Sequence, residues 1–118
     1  MTAALTDPNC LFCGMVSGEV QADEVVRTER VLAFRDVSPQ APLHVLVVPL
    51  DHHVDVGSLA VADGDVLAEM ARVAAGIAAD EAPQGWRWVF NSGPQAGQSV
   101  FHVHGHVLGG RGMTWPPG

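Results

Sequence analysis

Val100-Phe101-His102-Val103-His104-Gly105-His106-Val107-Leu108 is the stretch that decides how this chain is built and where its chemistry lies. Three imidazoles alternate with small or apolar residues. Read as an extended strand, the segment puts His102, His104 and His106 on one face, with successive rings roughly 6.6–7 Å apart. Phe101, Val103, Gly105 and Val107 then turn the other way, toward a layer of helix. The Gly-, Pro- and Ser-rich stretch Asn91–Gln98 leads into this strand from another alternating one, marked by Trp86, Trp88 and Phe90.

Working outward, Leu43–Pro49 is a near-continuous aliphatic run, as in a central strand covered on both faces, and Pro49 ends its pairing. Glu24–Thr28 and Val31–Asp36 read as strands joined by a tight hairpin at Glu29-Arg30, and Pro39 and Pro42 mark a loop. From Asp63 to Glu81 the period changes. Val66, Met70, Val73 and Ile77 recur at helical spacing while Asp65, Glu69, Arg72 and Asp80 fall opposite, with Asp63 as N-cap and Pro83 and Gly85 as the stop. Within Cys10–Val20, Leu11, Phe12, Met15 and Val16 suit a short helix closing at Gly18. The expectation is an α+β fold: a five-stranded antiparallel sheet with one long and one short helix. Neither a GxGxxG nor a GxxxxGK[ST] motif supports a dinucleotide or P-loop fold.

The chain has 118 residues, which suits a single domain over residues 1–118. Its 47% apolar and 16% charged residues belong to an ordinary globular protein. Thirteen carboxylates against six Arg give a formal charge of -7, which disfavours polyanions, so no nucleic-acid partner is expected. The longest apolar run, Leu43–Leu50, is broken by His44 and Pro49 and falls short of the ~20 residues of a membrane span. With no secretory leader legible, a cytoplasmic location is expected.

The histidines admit three readings. They are surface or core histidines; or they hold a catalytic metal, although no Asp or Glu stands in the cluster as base or bridging ligand; or one imidazole attacks phosphorus while its neighbours neutralise the phosphoryl oxygens. The third best fits a chain that must meet a small anion with imidazoles and backbone N–H groups, here those of Gly97, Gln98 and Ser99. Cys10 and Cys13 form a Cys-x-x-Cys. A redox role lacks its βαβ surroundings, and a zinc role needs two further ligands.

Gly97 to Arg111, read as Gly-Gln-Ser-Val-Phe-His-Val-His-Gly-His-Val-Leu-Gly-Gly-Arg, resembles the signature of the histidine-triad (HIT) family. The ending Met113-Thr114-Trp115-Pro116-Pro117-Gly118 is similar to its adenosine phosphoramidase branch, and Phe34 to His44 with Val47-Val48-Pro49 and His52 is similar to its nucleoside-binding half. The resemblance implies a homodimer with a sheet continuous across two subunits, cleaving purine nucleoside 5′-phosphoramidates to a nucleoside monophosphate and an amine. It implies His104 as nucleophile, His106 and His44 at the phosphate, Ser99 and Gln98 near the phosphate and leaving group, Asn91 at the phosphate side, and Asp36 on the ribose hydroxyls. No organic cofactor is implied. The zinc-containing members imply Cys10, Cys13, His52 and His102 as a closed structural zinc set. Dinucleoside polyphosphate hydrolysis and non-catalytic nucleotide binding are the alternatives. Gly105 departs from the family's usual bulky residue, and Leu50-Asp51 from its usual basic pair, which should disfavour long polyphosphates.

Overall fold

The computed structural model describes residues 5–118. Its elements run α1 (Leu11–Ser17), β1 (Glu24–Arg27), β2 (Val31–Arg35), β3 (Leu43–Pro49), α2 (Val56–Ala62), α3 (Gly64–Glu81), β4 (Trp86–Phe90), a 3-10 turn (Pro94–Ala96) and β5 (Gly105–Gly109). The strands form one sheet in the order β1-β2-β3-β5-β4, every neighbouring pair antiparallel. β3 lies at the centre with all of its residues buried, as its unbroken aliphatic run requires. Among the described residues no helix is long and apolar enough to cross a membrane.

Strand alternation divides the core in two. Val31, Ala33, Leu43, Val45, Val47, Val103 and Val107 pack under α2 and α3, against Leu59, Val66, Met70, Ala74 and Ile77. On the other face Leu32, Phe34, Leu46 and Val48 pack on Phe12 of α1. α3 is the expected long helix, capped by Asp63, whose carboxylate accepts from the Val66 N–H at 3.3 Å. α1 closes at Gly18, which takes a φ of 89° that a residue with a Cβ rarely adopts.

Two expectations need correction. There are two short helices rather than one: α2 was hidden because it is a single pair of turns with one buried side chain, Leu59, and a glycine in its first turn. Its start is nonetheless encoded, since Asp55 accepts from the Ser58 N–H at 2.9 Å. The final strand begins at Gly105, not Val100. The β3·β5 ladder stops at the Val47–Gly105 pair. Two residues on, Pro49 has no N–H to donate, and the Val103 N–H turns instead to the His53 carbonyl at 2.7 Å. Residues 100–104 therefore leave the sheet, and Phe101, expected to pack under helix, is 44% exposed.

Candidate active site and metal centre

β3 carries His44 and β5 carries His106; their register sets them diagonally across the ladder. His44 Nε2 lies 2.9 Å from His106 Nδ1. The proton positions follow from the outer partners. The Gln40 N–H donates to His44 Nδ1 at 3.0 Å, so in the neutral ring His44 carries its proton on Nε2 and gives it to His106 Nδ1. His106 is left with its proton on Nε2, a donor free for another group. Burial keeps both rings neutral: it pushes His44 below the ordinary histidine value, with Asp36 opposing, and His106 down to about 4.

His104, 9% exposed, is oriented by its own chain. Its Nδ1 donates to the His102 carbonyl at 2.8 Å, and a carbonyl can only accept, so the lone pair of the neutral ring is on Nε2. The ring stands 5.1 Å from that of His106 and 4.9 Å from Phe12, which meets it edge to face. Phe12 and the Gln40 amide are parts of the site that the sequence does not announce. Phe12 looks like any apolar stripe residue, and Gln40 acts through its backbone.

Asp36 follows β2 and places Oδ2 3.4 Å from His44 Nε2 while Oδ1 accepts the Ser38 N–H at 2.7 Å. Asp36, His44 and His106 thus form one polar group. The 2.9 Å contact between the two rings is a hydrogen bond, shorter than the roughly 3.3 Å that two imidazole nitrogens on one tetrahedral zinc would keep.

The loop from Asn91 to Ser99 is held from within. Gln98 is buried; its Oε1 accepts the Gly93 N–H at 2.9 Å, and its Nε2 donates to the Val54 and Val100 carbonyls at 2.7 and 3.1 Å. The Gly97 and Gln98 N–H groups bond to Pro94 and Gly93 carbonyls. Of the three amides expected to line an anion pocket, two are consumed by the turn, because a loop with left-handed Gly97 folds back on itself; only the Ser99 N–H is without a partner among the described residues. Ser99 itself is exposed at the end of the loop. Asn91 directly follows Phe90, whose partner is Gly105, so it leaves β4 at the end of the ladder where the chain enters β5.

His102 is directed elsewhere. Its Nε2 donates to the Pro49 carbonyl at 2.8 Å, which frees the Nδ1 lone pair; that atom lies 3.5 Å from both Cys10 and Cys13 Sγ. His52 Nδ1 is 3.4 Å from Cys13 Sγ, and the four ligand atoms all fall within 4.8 Å of one another. A tetrahedral zinc with Zn–S of ~2.3 Å and Zn–N of ~2.0–2.1 Å sets S···N edges of about 3.5 Å, so the donor set fits zinc closely. Burial holds His102 at about 4 and the Cys10 thiol above its ordinary value, the protonation states that bare ligands adopt when buried. Zinc here would be closed off by four protein ligands, tying α1 to the segment after β3 and to the approach to β5.

A central strand and its neighbour thus present paired imidazoles, and a separate cysteine–histidine group is joined to them through the His102 carbonyl. Residues 17–113 match the HIT domain, and the chain belongs to the HIT family. It superposes on a HIT family hydrolase from Legionella pneumophila with a TM-score of 0.89 at 44% identity, covering 93% of this chain and 100% of that one. It is 40% identical over 120 residues to the 14 kDa zinc-binding protein of Zea mays, spanning 97% of this chain and 91% of that protein. It is 37% identical over 121 residues to adenylylsulfatase HINT1 of Arabidopsis thaliana, spanning 100% and 82% of the two chains.

Proposed function

We propose that the chain hydrolyses purine nucleoside 5′-phosphoramidates through a nucleotidyl-histidine intermediate. The observation that carries this reading is the His104 Nδ1–H bond to the His102 carbonyl, which leaves Nε2 unprotonated beside a proton-bearing His106 Nε2. His104 Nε2 attacks phosphorus, the P–N bond breaks, and the departing amine takes a proton that the exposed Ser99 hydroxyl relays from solvent. The His106 Nε2–H and the Ser99 N–H meet the phosphoryl oxygens, Asn91 contacts the phosphate side, and Asp36 grips the ribose. Water then attacks the phosphorus of the nucleotidyl-imidazole and gives up a proton to solvent, the bond from phosphorus to His104 Nε2 breaks, and the monophosphate leaves with the neutral His104 ring restored. Gln98 and Gly97 act by shaping the loop, and zinc on Cys10, Cys13, His52 and His102 stabilises the fold without entering the reaction. The working unit is a homodimer.

Rapid quench with phosphorus-labelled substrate tests the reading. A protein-bound phosphorus species should accumulate and vanish in His104→Ala, whose rate should fall at least ~10³-fold, or ~4 kcal/mol in barrier. Activity surviving in His104→Ala with no trapped species removes the mechanism. The adenylylsulfatase relative favours a second leaving group: the same attack at the 5′-phosphorus would expel sulfate from an adenylyl sulfate. Turnover of that substrate and not of phosphoramidates would replace the first assignment.

A further inference from the structure

The glycine between His104 and His106 is there for space. Gly105 is buried, lies in the regular ladder opposite Phe90 on one side and Val47 on the other, and has no positive φ, so its backbone makes no demand for glycine. A Cβ built on it would stand 2.7 Å from Phe90 Cζ and 2.8 Å from Trp88 Cε2, and would run into Trp88 Nε1. The two rings meet edge to face on the α3 side, their centroids 4.7 Å apart at 65°. Trp88 Nε1 is buried with no partner among the described residues. An unpaired indole N–H is unfavourable, so fit rather than hydrogen bonding holds the ring there.

We propose that Trp88 and Phe90 are positioning residues for the histidine site. From the neighbouring strand they fill the volume that a side chain at 105 would fill, and they clamp the β5 backbone from the helix side. That fixes the aim of His104 and His106 on the opposite face. The kinetic part of this inference rests on the function proposed above; the geometric part does not.

Gly105→Leu, Trp88→Ala and the double variant test it by two readouts. In phosphoramidate turnover, Gly105→Leu should lose about 10²-fold in kcat with KM nearly unchanged, as a misplacement of ~1 Å would cause. Trp88→Ala should lose about 10-fold, and the double variant should recover to within about 10-fold of the parent. Long-range ¹H–¹⁵N spectra should show His44 protonated on Nε2 and His106 accepting on Nδ1 in the parent, lose that pattern in Gly105→Leu, and regain it in the double variant. Parental kcat and spectra in a folded Gly105→Leu overturn the proposal, as does a double variant no better than Gly105→Leu. Should Gly105→Leu not fold, parental kcat and spectra in Trp88→Ala overturn it. A parent that cleaves no phosphoramidate sinks the proposed function, and the spectra then decide this inference alone.

Discussion

Removing His44 should disable the site through its hydrogen-bond partner His106. In His44→Ala the Gln40 N–H loses its acceptor and His106 Nδ1 loses its donor, both at a residue only 6% exposed. An unsatisfied buried polar group costs ~1–3 kcal/mol, so the two together with the lost packing should lower stability by about 3 kcal/mol. For a domain of this size that corresponds to a fall of about 12 °C in Tm. The second effect is chemical. Without the His44 Nε2–H, the proton of His106 is no longer confined to Nε2, and the donor that the proposed mechanism directs at the phosphoryl oxygen is lost in a share of molecules. Loss of one such donor is worth about 10²–10³-fold in kcat. Calorimetry and steady-state turnover read the two effects separately, and ¹⁵N spectra of His106 report the tautomer directly. A variant with Tm within about 3 °C of the parent, an unchanged His106 spectrum and kcat within about threefold would refute the proton assignment on which the site is built.

Elemental analysis should find about one zinc per chain, and Cys13→Ser or a chelator should lower Tm; a protein free of zinc after zinc-replete expression refutes the centre. Acid should destabilise the fold. His106 sits at about 4 and His44 is also depressed, whereas the unfolded rings take protons near 6.5, so between those values the unfolded chain binds more protons and stability is lost as the pH is lowered. Urea midpoints at about pH 7.5 and pH 4.5 check this, and equal midpoints would contradict it. Met70→Ala, at a side chain with no exposure in the core under α3, should cost ~2–5 kcal/mol in a urea titration while kcat stays near the parental value; a cost under 1 kcal/mol would mean the core is misplaced.

Local signals served well where one residue pattern decided the outcome. Leu43–Pro49 is buried throughout because nothing in it asks for water except His44, and α3 starts at Asp63 because a carboxylate there can cap. Cys10, Cys13, His52 and His102 meet as the family resemblance implied, although they come from segments far apart in the chain. Tertiary pairing decided the rest. The alternation from Val100 to Leu108 is real in the sequence, but only its last four residues find partners, because the opposing strand runs out of donors. The amides of Gly97 and Gln98 could be counted from the sequence, but their use inside the turn could not, since it depends on where the Gly93 and Pro94 carbonyls point. The role of Gly105 was invisible for the same reason: its neighbours Trp88 and Phe90 sit on another strand.

One imino acid keeps two kinds of imidazole chemistry apart. Had residue 49 possessed an amide hydrogen, the ladder could have zipped on and laid the first ring of the triplet in the same row as the other two. Instead its bare carbonyl receives that ring's proton at 2.8 Å, turning the opposite nitrogen toward the thiols. The carbonyl oxygen of that same first histidine then holds the next imidazole in a single tautomer. A ring turned to the cysteine thiols and a ring with an unprotonated Nε2, two positions apart in the chain, thereby share a backbone without competing for the same space.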